Sequence, residues 1–246
     1  MDTASPPPTP TPANGLTTAL QIVAAPRSAL ERLRVAPTWG WAFLIAVVLG
    51  AVGTFLSVPA ALHSVSASLA HQMAANPTYS QMSDSQRHQL LESTLVAVRY
   101  GWAFIPFVLL VGGLVQTIIL LAFNAIGRGD AGFRTLWAAN INIAIPGFGL
   151  YLLVGGLIAV IRGPLAYNSS LDSFLAMPSV AWFSTHAGPA TIAFLAAFNP
   201  FSIWAFALTV AAMIIVARTS VLNAYAASAT ILVLAALVSM WGGARP

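Results

Sequence analysis

Long apolar stretches alternate along this chain with short polar, glycine-rich or proline-rich breaks. A bilayer core takes about 20 apolar residues in a helix. On that measure the pattern predicts five membrane spans, at about 39–61, 100–126, 136–161, 200–217 and 222–241. Aromatic residues mark the starts of four of them: Trp39 and Trp41, Tyr100 and Trp102, Trp137, and Trp204. Such residues favour the membrane–water boundary. Leu30 and Leu33 share one helical face, and Arg27, Glu31 and Arg34 share another. Residues 16–37 therefore read as an amphipathic juxtamembrane helix lying on the membrane surface, with Pro26 in its first turn.

Beyond the first span, Leu62, Val65, Leu69 and Met73 continue a helical stripe. A turn is expected at Asn76–Gln81. Ser83 followed by Gln86 forms a capping box for a helix carrying Leu90, Leu91 and Leu95. Pro106 in the second span and Pro146 in the middle of the third mark candidate kinks or hinges. The apolar run at 190–198 is too short to span and reads as interfacial or re-entrant. Residues 1–15, rich in proline and threonine, read as a disordered tail, leaving 38–246 as the membrane domain. The fold class is all-α, a polytopic membrane helical bundle with five transmembrane helices.

Composition agrees, since 58% of the 246 residues are hydrophobic and only 7% are charged, against about 25% charged in soluble domains. All ten basic residues are arginine, which with the many alanines points to a GC-rich, bacterial genome. The arginines stand singly at segment ends, where membrane topology explains them and nucleic acid does not. With the N-terminus inside, Arg27, Arg32, Arg34, Arg128, Arg134 and Arg218 are cytoplasmic, against Arg87, Arg99, Arg162 and Arg245 outside. This bias predicts a bacterial inner-membrane protein with a cytoplasmic N-terminus and an external C-terminus. The segment GRGDAGF (Gly127–Phe133) is then a cytoplasmic hairpin whose glycines supply the tight turn. Its Asp130 is placed to pair with Arg128 or Arg134.

Little in the chain points to catalysis or a cofactor. GRGDAGF has no Lys-Ser/Thr pair and no preceding strand, so it is not a phosphate-binding loop. His63, His71 and His88, with Asp84 and Glu92, lack metal-site spacing and read as solvated side chains. No His or Asp lies within a span to serve a Ser/His dyad or an aspartate pair, so no enzyme is expected. The notable intramembrane polar residues are Gln116, Asn124, Asn140, Asn142 and Asn223. Gln116, Asn140 and Asn142 are the candidates for lining a path, although such groups more often bond helix to helix. Small-residue pairs at Ala46 and Gly50, Ala207 and Ala211, and Ala224 and Ser228 are spaced for close helix packing.

The turn G-x-G-x-x-G-F-R-x-L, formed by Gly127, Gly129, Gly132, Phe133, Arg134 and Leu136, precedes a span with a central proline, Pro146. It resembles the bacterial branch of the Yip domain family, relatives of the Ypt/Rab-interacting membrane proteins. Ile22–Trp39, Gln81–Glu92 and Phe198–Leu208 are similar to further parts of that family, so the resemblance runs from about Leu16 to Val238. The D-L-Y-G-P and G-Y signatures of eukaryotic members are absent. The resemblance implies five spans with the N-terminus inside. Residues and resemblance together predict a non-enzymatic adaptor or scaffold embedded in the lipid bilayer and binding other membrane proteins or lipids. Its partner surface would comprise Arg27, Arg34, Arg128, Asp130, Phe133 and Arg134. The alternative is a small transporter or channel component using Gln116, Asn140 and Asn142.

Overall fold

The structure, a computed structural model, describes residues 14–75, 82–184 and 186–243. Its described residues form helices and no strand. The chain opens with two short helices, α1 (Gly15–Ala24) and α2 (Pro26–Val35), where one amphipathic helix was expected. Asn14 caps α1, its side chain accepting from Leu16 N–H at 3.0 Å. Pro26 starts α2, because a first-turn proline gives up no helical hydrogen bond.

The apolar face of α2 does not lie on lipid. Ala29, Leu30 and Leu33 are wholly buried against the third and fourth spans. The bundle itself supplies the apolar surface that the amphipathic pattern requires. α1 is apolar rather than charged and packs its Thr18, Ala19 and Ile22 inward.

The first span belongs to α3 (Gly40–Ala75), whose 36 residues would extend about 54 Å. It therefore projects well past a bilayer core, as the Leu62–Met73 stripe foretold. α4 (Asp84–Tyr100) runs back along it. The predicted capping box is present: Gln86 N–H donates to Ser83 Oγ at 3.3 Å, and Ser83 N–H donates to Gln86 Oε1 at 3.0 Å. The turn expected at Asn76–Gln81 lies outside the described residues, as does most of the N-terminal tail.

One 3₁₀ turn (Gly101–Phe104) joins α4 to α5 (Ile105–Ile126), the second span. Pro106 stands at the start of α5 and opens the α-helix there, so it marks this junction instead of kinking the span. The third span comprises α6 (Phe133–Ala144), a π-helical turn (Ile145–Leu150) and α7 (Tyr151–Arg162). After α8 (Ser170–Leu175), α9 (Pro189–Ala196) and α10 (Pro200–Ile215) meet at 49°. Asn199 caps α10, its Oδ1 accepting from Phe201 and Ser202 N–H at 3.0 and 3.1 Å. α11 (Val221–Gly243) runs back against both α9 and α10.

Four helices are long and apolar enough to cross a membrane, and the count rises to five where the bent α9–α10 pair is taken as one span. The all-α membrane bundle expected from the sequence is therefore the observed fold. The short run at 190–198, expected to be interfacial or re-entrant, forms α9, whose 49° bend from α10 fits a re-entrant loop as well as a broken span.

The tightest crossing is between α3 and α7. A Cβ at Gly53 would lie 2.2 Å from Leu152 O, and one at Gly156 would lie 2.2 Å from Gly53 O. Backbone meets backbone there, which only small residues permit. Ala46 continues this face against Gly149. Ala224 and Ser228 are likewise buried in α11, but Ala207 is exposed, and Ala205 instead meets Gly147.

Candidate functional site

Two hinges meet at one end of the bundle, below α2. Gly129 N–H donates to Asn124 O at 2.8 Å, folding residues 127–132 back on the end of α5. Asn124 Nδ2 donates to Ala131 O at 2.9 Å and closes the loop from inside. The loop then docks on the second hinge, residues 216–220. Asp130 N–H donates to Ala217 O at 3.1 Å, and Arg218 Nη1 pairs with Asp130 Oδ2 at 3.3 Å. Asn223 Nδ2 donates to Phe123 O, tying α11 to α5. The partner of Asp130 is thus Arg218, which is distant in sequence, and neither Arg128 nor Arg134.

The glycines of the hinge have a different role from the one expected. Left-handed backbone occurs at Arg128 (φ 52°) and Arg218 (φ 55°), not at Gly127 or Gly129. What those glycines provide is close approach. A Cβ at Gly127 would lie 2.4 Å from Asn223 Nδ2, and one at Gly129 would lie 2.4 Å from Ala217 O. An arginine in that region costs roughly 1–2 kcal/mol relative to ordinary backbone, so each hinge keeps a guanidinium where glycine would be easier.

Arg128 and Arg134 are exposed beside the docked hinges. Phe133 stacks on Trp137 with centroids 6.0 Å apart and planes at 16°. Trp137 meets Trp39 edge-on at 6.0 Å, and Trp39 meets Phe43 at 6.2 Å. The result is a half-exposed aromatic row at the start of the first and third spans. Arg27 pairs with Glu31 at 3.1 Å on the outer face of α2. Both are exposed, so this bond adds little stability. Arg34 has no partner among the described residues.

A cleft of about 520 Å³ opens between α2 and the end of α10, lined by Glu31, Arg34, Val35, Ile214, Ile215 and Arg218. Arg34 and Arg218 therefore border one concavity. Arg27 lies one turn along α2 from the lining residue Glu31. Asn124, Asn223 and Arg218, which assemble the hinges, were not among the residues expected to form this surface. The available signal was an asparagine in the last turn of one span and the first of another, where free backbone groups need partners.

The intramembrane polar residues do not form one group. Asn140 Nδ2 donates to Gly113 O at 2.9 Å and Thr117 Oγ1 at 3.2 Å, linking the third span to the second. Asn142 Nδ2 donates to Thr38 O at 2.9 Å and Ala138 O at 2.8 Å, holding the segment that leads into α3. Gln116 is half-buried on the second span, next to Thr117. Pro146 lies within the π-turn and is buried. Among the described residues, no three His, Asp or Glu side chains converge as a metal site would require.

The chain matches no family model, no curated protein and no solved structure.

Proposed function

We propose that this protein is a non-enzymatic membrane scaffold of Yip-like build, whose hinge face receives other membrane proteins or lipids. One observation carries the reading. Asn140 and Asn142 are committed to separate helix contacts, while Arg27, Arg34, Arg128, Phe133 and Arg134 remain exposed around two hinges that lock together. A rigid, charged and aromatic face on a lipid-embedded bundle suits recognition. The arginine bias favours the cytoplasmic surface of a bacterial inner membrane for this face.

Photo-crosslinking in native membranes, with the probe at Arg134 and a control probe at Glu92, tests the proposal. The expected result is one reproducible protein or lipid adduct from Arg134 that Glu92 does not give. Equal, diffuse products from both sites would overturn it. The transporter reading keeps one supporting observation, the π-turn within the third span, because such turns often accompany function. Solute flux in liposomes, lost on Asn140→Leu or Asn142→Leu in folded protein, would favour it.

A further inference from the structure

We propose that the cleft between α2 and the end of α10 binds one anionic phospholipid, with its phosphate at Arg34 and Arg218 and an acyl chain along Val35, Ile214 and Ile215. The proposal rests on the reading that the hinge face lies at a membrane surface, and it names a specific ligand for that face.

The lining is amphipathic in the order a lipid requires. Ile214 and Ile215 belong to the last turn of α10, whereas Arg218 stands beyond it in the hinge, so the apolar lining lies on the span and the guanidinium past its end. Val35 is 80% exposed and Ile214 37% exposed. Apolar groups beside guanidinium groups are suited to the boundary between headgroup and acyl chain, and poorly suited to open water.

Charge complementarity selects an anion. Glu31, the one acidic lining residue, is already paired with Arg27 at 3.1 Å. Asp130 meets Arg218 through Nη1, and the rest of the guanidinium fork has no partner among the described residues. Arg34 is unpaired among the described residues. A phosphate oxygen pair accepts well from such planar forks. Basic pockets between helices at the inner surface are known to take anionic headgroups.

The backbone adds an independent observation. Arg218 holds φ at 55°, a conformation that favours glycine. Retaining arginine there places its guanidinium at the mouth of the cleft. A charge needed only for topology could occupy any neighbouring position of ordinary backbone.

The test uses the full chain purified in uncharged detergent, titrated with dioleoyl phosphatidylglycerol, dioleoyl phosphatidylcholine or glycerol 1-phosphate, and read by native mass spectrometry. Phosphatidylglycerol should bind in preference to phosphatidylcholine, with one strong site. Arg34→Gln should weaken that site by about tenfold, as loss of one charge-assisted contact implies. Val35→Ser should weaken it less, and Arg87→Gln, on α4, should leave it unchanged. Equal binding of both lipids, or equal effects of Arg34→Gln and Arg87→Gln, would overturn the proposal. Binding of glycerol 1-phosphate as tight as that of the lipid would reduce the cleft to a simple anion site and also overturn it. Failure here, with a specific protein adduct still formed at Arg134, removes the lipid and leaves the scaffold. Lipid binding without any such adduct keeps the cleft and removes a protein partner.

Discussion

Replacing Gly53 with alanine should destabilise the bundle by about 2 kcal/mol, a figure worked from overpacking and helix propensity. The new methyl would sit 2.2 Å from Leu152 O, whereas ordinary contact begins at 3.4 Å. The obstacle is backbone, so no side chain can turn aside, and α3 and α7 must separate by more than an ångström. Overpacking typically costs about 1–3 kcal/mol, and a backbone clash belongs at the upper end. Alanine returns roughly 1 kcal/mol through its better helix propensity. Gly112→Ala supplies the comparison, because nothing lies within 4 Å of a Cβ there. It should gain up to roughly 1 kcal/mol by propensity alone, so the two variants should differ by about 3 kcal/mol. Reversible unfolding in mixed dodecyl sulfate micelles, followed by tryptophan fluorescence, measures both. If Gly53→Ala proves as stable as Gly112→Ala, the backbone crossing of α3 and α7 is wrong.

Other substitutions probe the remaining contacts. Asn140→Ala should cost roughly 0.6–1.7 kcal/mol in the same unfolding assay, the range of hydrogen bonds between membrane helices. Arg128→Asn should be neutral or slightly stabilising, because asparagine tolerates left-handed backbone, while Arg128→Val should lose about 1 kcal/mol, the extra strain of a β-branched side chain there. Equal stability of those two variants would show that the hinge does not hold φ positive. Asp130→Asn should cost less than about 1 kcal/mol and lose its effect as salt rises, since the Arg218 pair is exposed; a salt-independent loss measured by denaturation would contradict that geometry.

Helix-scale features were legible where they depend on local sequence. The Ser83–Gln86 capping box and the start of α2 at Pro26 each need only a few neighbouring residues. Four of the spans were legible because the apolar lengths are set by bilayer thickness. Features decided by distant residues were not legible. Nothing near Asp130 announces Arg218, and nothing in GRGDAGF shows that its glycines make room for Asn223 and Ala217. The amphipathic pattern of α2 fixed which face is apolar, but a lipid surface and a neighbouring helix satisfy that face equally well. The cap at Asn199 and the bend before Pro200 were not read from the sequence, because the relation of two short helices depends on α11 packing beside both.

The third span shows why a mid-helix proline can serve packing. Pro146 has no N–H to offer the carbonyl of Asn142, and that carbonyl accepts from Ile145 instead. The helix then widens into the π-turn. Gly147 and Gly149 follow within it, about 200° apart on a regular helix. A Cβ at Gly147 would lie 2.7 Å from Ala205 Cβ in the fourth span, and one at Gly149 would lie 3.2 Å from Ala46 Cα in the first. Two neighbours thus press on opposite sides of the same turn, while Asn140, five residues before the π-turn begins, holds the second span. A helix enclosed on three sides has no lipid-facing room in which to bend freely. Its π-turn is fixed by those glycine contacts, so any hinge motion at Pro146 would have to carry α3 and α10 with it.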